Sequence, residues 1–188
     1  MLTKRAFDFI LSVLLLSLSS LFILVISILI KLTSRGKVVF WQKRIGQVNE
    51  TFYMPKFRTM REGTPDVASH LLTNPQQYVT LIGRFLRFYS LDELPQLYSI
   101  LIGQMSFVGP RPALYNQHEL IKLREKDSIH LLKPGITGWA QVNGRDELSI
   151  KEKVSFDLEY LEKKSFLFDI YIIWLTFKKV LFREGISH

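Results

Sequence analysis

The sequence contains no cysteine among its 188 residues. A disulfide framework and a thiolate metal site are therefore excluded, and thiol usage gives no information about the redox compartment. The histidines are also few, and no pair among His70, His118, His130 and His188 has the spacing of metal ligands. We interpret these four side chains as surface or core residues.

Acidic residues are fewer than basic residues in this sequence. The sequence has 17 of them against 25 lysines and arginines, which gives a net charge of +8, yet 47% of the residues are hydrophobic. A soluble basic nucleic-acid-binding protein is rarely so apolar, and none of the usual nucleic-acid-binding module signatures is present. A membrane and phosphate-bearing ligands fit both numbers. We therefore expect those partners and no nucleic acid.

Charge is absent altogether from residues 9 to 30. As a helix, this run of about 22 residues would be about 33 Å long, which matches the hydrocarbon thickness of a bilayer. It is too long for a cleaved signal peptide, and no small-residue cleavage site follows it. The segment therefore belongs in lipid.

Cationic residues flank this apolar segment on both sides. Lys4 and Arg5 precede it, and the cations that follow it are Lys31, Arg35, Lys37, Lys43 and Arg44. The positive-inside rule favours the cytoplasmic side for both ends, which a re-entrant helical hairpin satisfies and a spanning helix does not. Serines at positions 17, 19 and 20 could bend such a helix by bonding to carbonyls of the preceding turn. An ordinary single-pass anchor is the alternative.

The remaining sequence predicts an α+β fold that is mostly helical with a small β-hairpin. Short β-prone runs at 38–42 and 51–54 predict the hairpin, and Gly, Asn and Pro residues indicate an irregular loop over 61–80. We expect helices over residues 92–102, 116–127, 150–163 and 166–182. The last helix is apolar on nearly every side, which suits either a membrane interface or the protein core. Asp169 within it argues against full burial in lipid.

The run Ser90-Leu91-Asp92-Glu93-Leu94-Pro95-Gln96-Leu97 is the most informative part of the sequence. Pro95 lacks an N–H and fits only the first turn of an unkinked helix, so the helix must begin near Asp92. Asp92 and Glu93 would then lie at a helix N-terminus, where a carboxylate stays ionised. Taken alone, the run favours a purely structural role, because Asp is a preferred N-cap and Glu suits the positive end of a helix dipole.

Basic residues that could bind anions are spread around this helix. They are Lys56, Arg58, Arg84, Arg87, Arg111 and Arg145. Arg111 lies between two prolines that restrict the backbone, so its guanidinium is presented from a stiff segment and could bind phosphate in a bidentate manner. The glycine turns of residues 134–138 could add backbone N–H groups. This set of groups points to a phosphate-binding site.

Four ordered motifs carry a resemblance to a known family. They are Asp-Glu-Leu-Pro-Gln-Leu at 92–97, Met-Ser-Phe-Val-Gly-Pro-Arg-Pro at 105–112, Pro-Gly-Ile-Thr-Gly at 134–138 and Gln-Val-Asn-Gly-Arg at 141–145. From residue 4 to about residue 183 the chain resembles the bacterial sugar transferases, whose small members are monotopic phosphoglycosyl transferases. Two departures are Ser20-Leu21, where the family often has Ser-Pro, and Gln104, where an acidic residue is common.

The resemblance implies a UDP-sugar donor, a polyprenyl (undecaprenyl) phosphate acceptor, Mg²⁺ and a covalent phospho-sugar intermediate. Asp92 becomes the nucleophile, and Glu93 becomes a catalytic residue and the metal ligand. The candidate phosphate- and substrate-binding residues are Lys56, Arg58, Arg84, Arg87, Arg111, Arg145 and Asp157. We expect N-acetylated hexosamines and their derivatives as the first candidates for the sugar.

The same resemblance predicts the location and organisation of the protein. We expect a re-entrant membrane helix over residues 1–35 and a catalytic domain with interfacial helices over residues 36–188, at the cytoplasmic face of the bacterial inner membrane. A homo-oligomer is also possible. Two other functions stay open: a membrane-anchored basic binding module, and a helper subunit of a glycan-assembly complex that shows no turnover alone.

Overall fold

A computed structural model describes residues 2–65, 74–144 and 147–182. Its fold is α+β, as the sequence predicts. The helices are α1 (Leu2–Thr33), α2 (Leu81–Phe88), α3 (Gln96–Leu101), α4 (His118–Lys126), α5 (Trp139–Val142), α6 (Ile150–Lys163) and α7 (Phe166–Phe182). The strands are β1 (Val39–Ile45), β2 (Thr51–Phe57), β3 (Ser106–Val108), β4 (Ala113–Leu114) and β5 (Gly135–Thr137).

The predicted hairpin is confirmed, with longer strands than the sequence indicated. Strands β1 and β2 pair antiparallel from Val39 opposite Phe57 to Ile45 opposite Thr51. Strand β4 adds to the other edge of β1, which leaves β2 as an edge strand where Pro55 costs no ladder hydrogen bond. Strands β3 and β5 form a separate parallel pair. The even-numbered residues of β1 and β2 share one face of the hairpin, and this face carries Lys56.

Helix α1 is one continuous α-helix over Leu2–Thr33. The re-entrant placement of this helix in a membrane stays a prediction. The serine hydroxyls bond to carbonyls within the helix, from Ser19 to the Leu15 oxygen at 2.6 Å and from Ser20 to the Ser17 oxygen at 2.8 Å. These bonds leave the backbone ladder in place, and no proline follows Ser20 to remove an N–H. Within the described ranges, α1 is the one helix long and apolar enough to cross a membrane.

The first turns of α1 are bound to the rest of the protein by polar contacts. Arg5 donates to the carbonyls of Ile100 and Leu101, at the end of α3, at 2.7 and 2.6 Å. The buried Asp8 accepts a hydrogen bond from the Phe107 backbone at 3.2 Å. Lys4 forms an ion pair with Asp169 of α7. The N-terminal end of the apolar helix therefore lies against the folded body.

The last turns of α1 contact the same body through apolar packing. Ile26 and Ile30 are buried in a cluster with Phe57 of β2 and Leu86 of α2. Directly after the helix, the Ser34 carbonyl accepts from the Arg58 guanidinium at 3.0 Å. Both ends of α1 are thus attached to one folded unit, although most apolar side chains between them are exposed.

The helix predicted from residue 92 is divided in two. A 3₁₀ turn spans Leu91–Glu93, and α3 begins only at Gln96. Ser90, with φ of 54°, is the N-cap of the 3₁₀ turn, so Asp92 lies inside the first helical turn and is not the N-cap that its residue type suggests. The proline at position 95 lacks an N–H, and the surrounding bonds are of the short i to i+3 type.

The C-terminal helices confirm the sequence prediction. Helix α6 begins with a capping box between Ser149 and Glu152. Helix α7 combines both environments considered for it, because Ile172 and Asp169 are buried while Trp174 and Phe177 are exposed. One face of α7 therefore packs on the core, and the other is available to a membrane interface.

Candidate active site

A cleft of about 1170 Å³ opens between the β-hairpin, α2, the 3₁₀ turn and the segment 110–112. Its lining is strongly cationic. The basic residues in it are Lys37, Arg44, Lys56, Arg58, Arg61, Arg84, Arg87, Arg111, Arg124 and Lys153, against the acidic residues Glu62, Asp92, Glu93 and Glu147. Low-dielectric walls concentrate the field of such a surface, so the cleft favours a ligand with several negative charges.

A shared carboxylate lies at the centre of this cleft. One oxygen of Glu93, Oε1, accepts from Lys56 Nζ at 2.9 Å and from the Arg111 guanidinium at 2.7 Å. Burial lowers the pKa of Lys56, while the charge of Glu93 raises it and that of Arg111 lowers it. The ion triad of Lys56, Glu93 and Arg111 joins β2, the 3₁₀ turn and the segment between the two prolines.

Asp92, the neighbour of Glu93, is half-buried and lines the same cleft. Within the described ranges, its carboxylate takes part in no hydrogen bond or ion pair. Burial raises the pKa of Asp92, an effect opposed by Lys56, reinforced by Glu93, and opposed by Arg87 and Arg111. The direction is opposite to the one expected for a helix N-terminus, because a three-residue 3₁₀ turn contributes little dipole and burial outweighs it.

Three other predicted anion-binding residues occupy the α2 side of the cleft. Arg87 donates to the Thr59 hydroxyl at 2.9 Å, and burial lowers the pKa of its guanidinium. Arg84 is exposed at the rim. Arg58 is buried and donates to the carbonyl and hydroxyl of Ser34, at 3.0 and 2.8 Å, which ties it to the end of α1. Arg145 lies outside the described residues.

Asp157, which was predicted from the sequence to bind substrate, is buried on α6 and is not in the cleft lining. Its predicted role in substrate binding stays a prediction. Asp157 Oδ2 accepts from Arg124 Nε at 2.9 Å and from the same guanidinium's NH2 at 2.6 Å. Burial raises the pKa of Asp157, and Arg124 opposes this shift.

Three arginines of the cleft lining, Arg44, Arg61 and Arg124, were not among the predicted site residues. Arg124 is in a polar helix, where a charge usually means a solvated face, and Arg44 was counted only as a cation flanking the membrane segment. Arg44 donates to the Gln42 side chain and, at 2.8 Å, to the Pro112 carbonyl. No local sequence pattern signals the contacts of Arg44 with Pro112 and of Arg124 with Asp157, because these partners are distant in the sequence.

The carboxylates of the cleft fit Mg²⁺ only where a phosphate-bearing ligand supplies further oxygen ligands. No cluster of three or more His, Cys, Asp or Glu side chains that could hold a metal ion exists among the described residues. Mg²⁺ commonly uses one or two carboxylates, with substrate phosphates and waters completing its shell. Asp92 and Glu93 supply two adjacent carboxylates, so the cleft fits a magnesium ion that is bound together with a diphosphate ligand.

Comparison with known proteins decides the family. The profile of the bacterial sugar transferase family matches residues 1–183. The chain belongs to the bacterial sugar transferase family. The motifs that suggested this resemblance supply Asp92, Glu93, Arg111 and Pro112 to the lining of one cleft in this sugar transferase.

Several relatives can be aligned over nearly the whole chain. The undecaprenyl-phosphate glucose phosphotransferase of Komagataeibacter xylinus is 43% identical over 198 residues, which cover 98% of this chain and 37% of that protein. The uncharacterized sugar transferase EpsL of Bacillus subtilis (strain 168) is 40% identical, with 100% of this chain and 91% of EpsL covered. An undecaprenyl-phosphate N-acetylgalactosaminephosphotransferase of Aeromonas hydrophila is 32% identical, with 95% and 43% covered. The chain thus spans less than half of the first and third relatives.

The geometry of the ion triad predicts that Arg111→Lys is costly although the charge is kept. A lysine ammonium cannot reproduce a guanidinium that binds Glu93 and presents further N–H groups to a phosphate. We expect a loss of about 1.5 to 3 kcal/mol, roughly ten- to hundredfold in turnover rate, measured with purified protein in detergent. Arg35→Lys, at an exposed position after α1 and outside the cleft lining, is the matched control. A loss below about threefold for Arg111→Lys would contradict the assignment.

Proposed function

We propose that this sugar transferase moves a sugar 1-phosphate from a UDP-sugar to a polyprenyl phosphate and releases UMP. The observation that carries the proposal is the Asp92 carboxylate, which has no ion-pair partner among the described residues and lies beside the triad of Lys56, Glu93 and Arg111. The names of the relatives, which specify undecaprenyl phosphate and a sugar, support it. This reaction would be the first membrane step of bacterial glycoconjugate assembly.

The proposed reaction has two displacement steps at one phosphorus atom. An Asp92 oxygen attacks the phosphorus that bears the sugar, the bond from this phosphorus to the oxygen bridging the two phosphates breaks, and UMP leaves with that oxygen. An oxygen of the polyprenyl phosphate then attacks the same phosphorus, and the bond to Asp92 breaks. The carboxylate is restored, and the product is a polyprenyl diphosphate sugar. A covalent intermediate divides one difficult transfer between two bulky anions into two steps.

The cations of the cleft make the first attack electrostatically possible. A carboxylate that approaches a diphosphate meets repulsion of about 4 kcal/mol per charge pair at 4 Å, with an effective dielectric constant near 20. The positive charges of Lys56, Arg87 and Arg111 attract the Asp92 carboxylate and lower its pKa, so they also offset its repulsion from the diphosphate. Because Arg111 is both in the triad and in the cleft lining, it can bind the departing phosphate while Glu93 holds it in place.

Glu93 is the residue that we propose for holding Mg²⁺, because its carboxylate lies in the cleft lining beside Asp92 and its orientation is set by Lys56 and Arg111. A bound Mg²⁺ would neutralise charge on the diphosphate and favour the departure of UMP. Lys56 and Arg111 would keep the Glu93 carboxylate oriented towards the cleft.

The polyprenyl acceptor gives a reason for the membrane segment. We propose that residues 1–35 are embedded from the cytoplasmic face of the inner membrane, with both ends of α1 on the side of the catalytic domain. The attachment of Arg5 and Asp8 at one end, and of Ile30 at the other, to the same folded body supports this topology. Exposed aromatic side chains of α7 and the Lys178 ammonium over the Trp174 ring, at 5.7 Å, suit the headgroup layer.

The first test is UMP release by purified protein with a panel of UDP-sugars and undecaprenyl phosphate. The panel includes UDP-glucose and UDP-N-acetylgalactosamine, because relatives are named for both sugars.

We expect Asp92→Asn to abolish release without unfolding the protein, since an amide cannot form the acyl phosphate and burial already disfavours the charged carboxylate. Near-wild-type release by this variant would contradict Asp92 as the nucleophile, whereas a wild type that releases no UMP with any donor would support the binding module or the helper subunit. For the wild type, we expect the rate of UMP release to fall as the pH is lowered through the pKa of Asp92, because only the ionised carboxylate attacks. Since burial raises this pKa, the fall should occur at a higher pH than for an ordinary aspartate.

The metal role of Glu93 has its own test. Glu93→Gln should lower the rate and raise the Mg²⁺ concentration needed for half-maximal rate, because a neutral amide is a poorer magnesium ligand than a carboxylate. Lys126→Gln, at an exposed position of α4 outside the cleft lining, is the control and should leave the Mg²⁺ titration unchanged. An Mg²⁺ titration of Glu93→Gln that overlays the wild-type curve would contradict the assignment.

The topology is tested with a single cysteine at Thr3, which is exposed in a chain that has no native cysteine. We expect a membrane-impermeant maleimide to label Thr3→Cys only after intact cells are permeabilised. Lys126→Cys, on the exposed side of α4, reports the side of the catalytic domain. Labelling of Thr3→Cys but not Lys126→Cys in intact cells would show that α1 spans the membrane.

A further inference from the structure

Arg124 connects the buried part of the protein to the backbone of Arg111. Its Nε and NH2 atoms donate to Asp157 Oδ2 at 2.9 and 2.6 Å, and its NH1 atom donates to the Arg111 carbonyl oxygen at 2.8 Å. Asp157 is 1% exposed and the Arg124 side chain 11%. The guanidinium of Arg124 is therefore fixed from behind by α6 while its third nitrogen binds the segment that presents Arg111.

The carbonyl of the next residue, Pro112, is also held by an arginine side chain. Arg44 NH1 of β1 donates to the Pro112 carbonyl at 2.8 Å. Pro110 and Pro112 cannot donate backbone hydrogen bonds, so the segment cannot be fixed through N–H groups at those two positions. Two guanidinium groups hold its successive carbonyls instead, and charge-assisted hydrogen bonds are stronger and shorter than neutral ones.

We propose that Arg124 is a positioning residue for the transfer reaction, acting through Arg111. By holding the Arg111 carbonyl, Arg124 fixes the backbone from which the Arg111 side chain extends into the cleft. This side chain binds Glu93 Oε1 at 2.7 Å. Asp157 orients Arg124 for this task. The inference rests on the proposed function, in which Arg111 binds substrate phosphate.

Direct contact of Arg124 with substrate is the less favoured role, although it borders the cleft. Its side chain is 11% exposed against 29% for Arg111, and each of its three nitrogens already donates to a protein oxygen. A purely structural role, in which the Arg124 and Asp157 pair only joins α4 to α6, is the other alternative. The two roles differ in whether Arg124 is energetically coupled to Arg111.

A double-mutant cycle measures this coupling. Single variants Arg124→Gln and Arg111→Gln, their combination, and the wild type are compared by release of labelled UMP, with melting temperature as a check on folding. We expect Arg124→Gln to lower kcat about tenfold or more in the wild-type background, with a smaller change in KM, and less than about twofold in the Arg111→Gln background. Lys126→Gln removes a positive charge from the exposed side of the same helix and should change kcat less than about twofold.

Equal losses in both backgrounds would overturn the positioning role, because a structural defect or a direct substrate contact does not depend on Arg111. If Arg124→Gln does not fold, Arg124→Lys takes its place, since an ammonium can keep the Asp157 ion pair while losing the second contact. UDP binding, measured by calorimetry on the same variants, needs no turnover. The wild type could bind UDP and release no UMP, while the effect of Arg124→Gln on UDP affinity depends on the presence of Arg111. That result would contradict the proposed function alone. Absence of UDP binding and of UMP release would contradict both.

Discussion

The shared carboxylate of Glu93 is the contact on which the rest of the active site depends. It holds Lys56 of β2 and Arg111 of the segment between two prolines in one place, although the three residues are far apart in the sequence. Removing one member of a buried ion group leaves an uncompensated charge and is strongly destabilising, so such a triad resists rearrangement. The hairpin, the 3₁₀ turn and the segment 110–112 are thereby fixed around one cleft.

The triad also explains why Asp92 can act differently from its neighbour. Glu93 receives the direct ion pairs, whereas Asp92 feels the same cations at longer range and is held in a poorly solvated position that raises its pKa. Two adjacent carboxylates with different surroundings suit two tasks: one orients cations and metal, and the other attacks phosphorus. This difference in environment is the physical basis of the proposed chemistry.

The sequence predicted the elements with strong periodic or capping signals, including α6, α7 and the hairpin, and it identified Lys56, Glu93 and Arg111 as neighbours of one site. It did not predict the pairing of Asp157 with Arg124, because side chains on two helices distant in sequence share no periodic pattern. The apolar helix α1 was predicted from the uncharged run, and its serine hydroxyls bond to carbonyls without breaking the backbone ladder. The direction of the Asp92 pKa shift depends on burial by the whole cleft, which a local motif does not encode.

The central claim, a covalent phospho-sugar on Asp92, is tested most directly by peptide mass spectrometry. Purified protein is mixed with Mg²⁺ and its UDP-sugar without polyprenyl phosphate, then quenched in acid and digested. We expect one added sugar phosphate on the peptide that contains Asp92, and we expect it to be lost on addition of hydroxylamine or of the acceptor. Turnover with the acceptor but no adduct under any quench, or an adduct on a different residue, would contradict it.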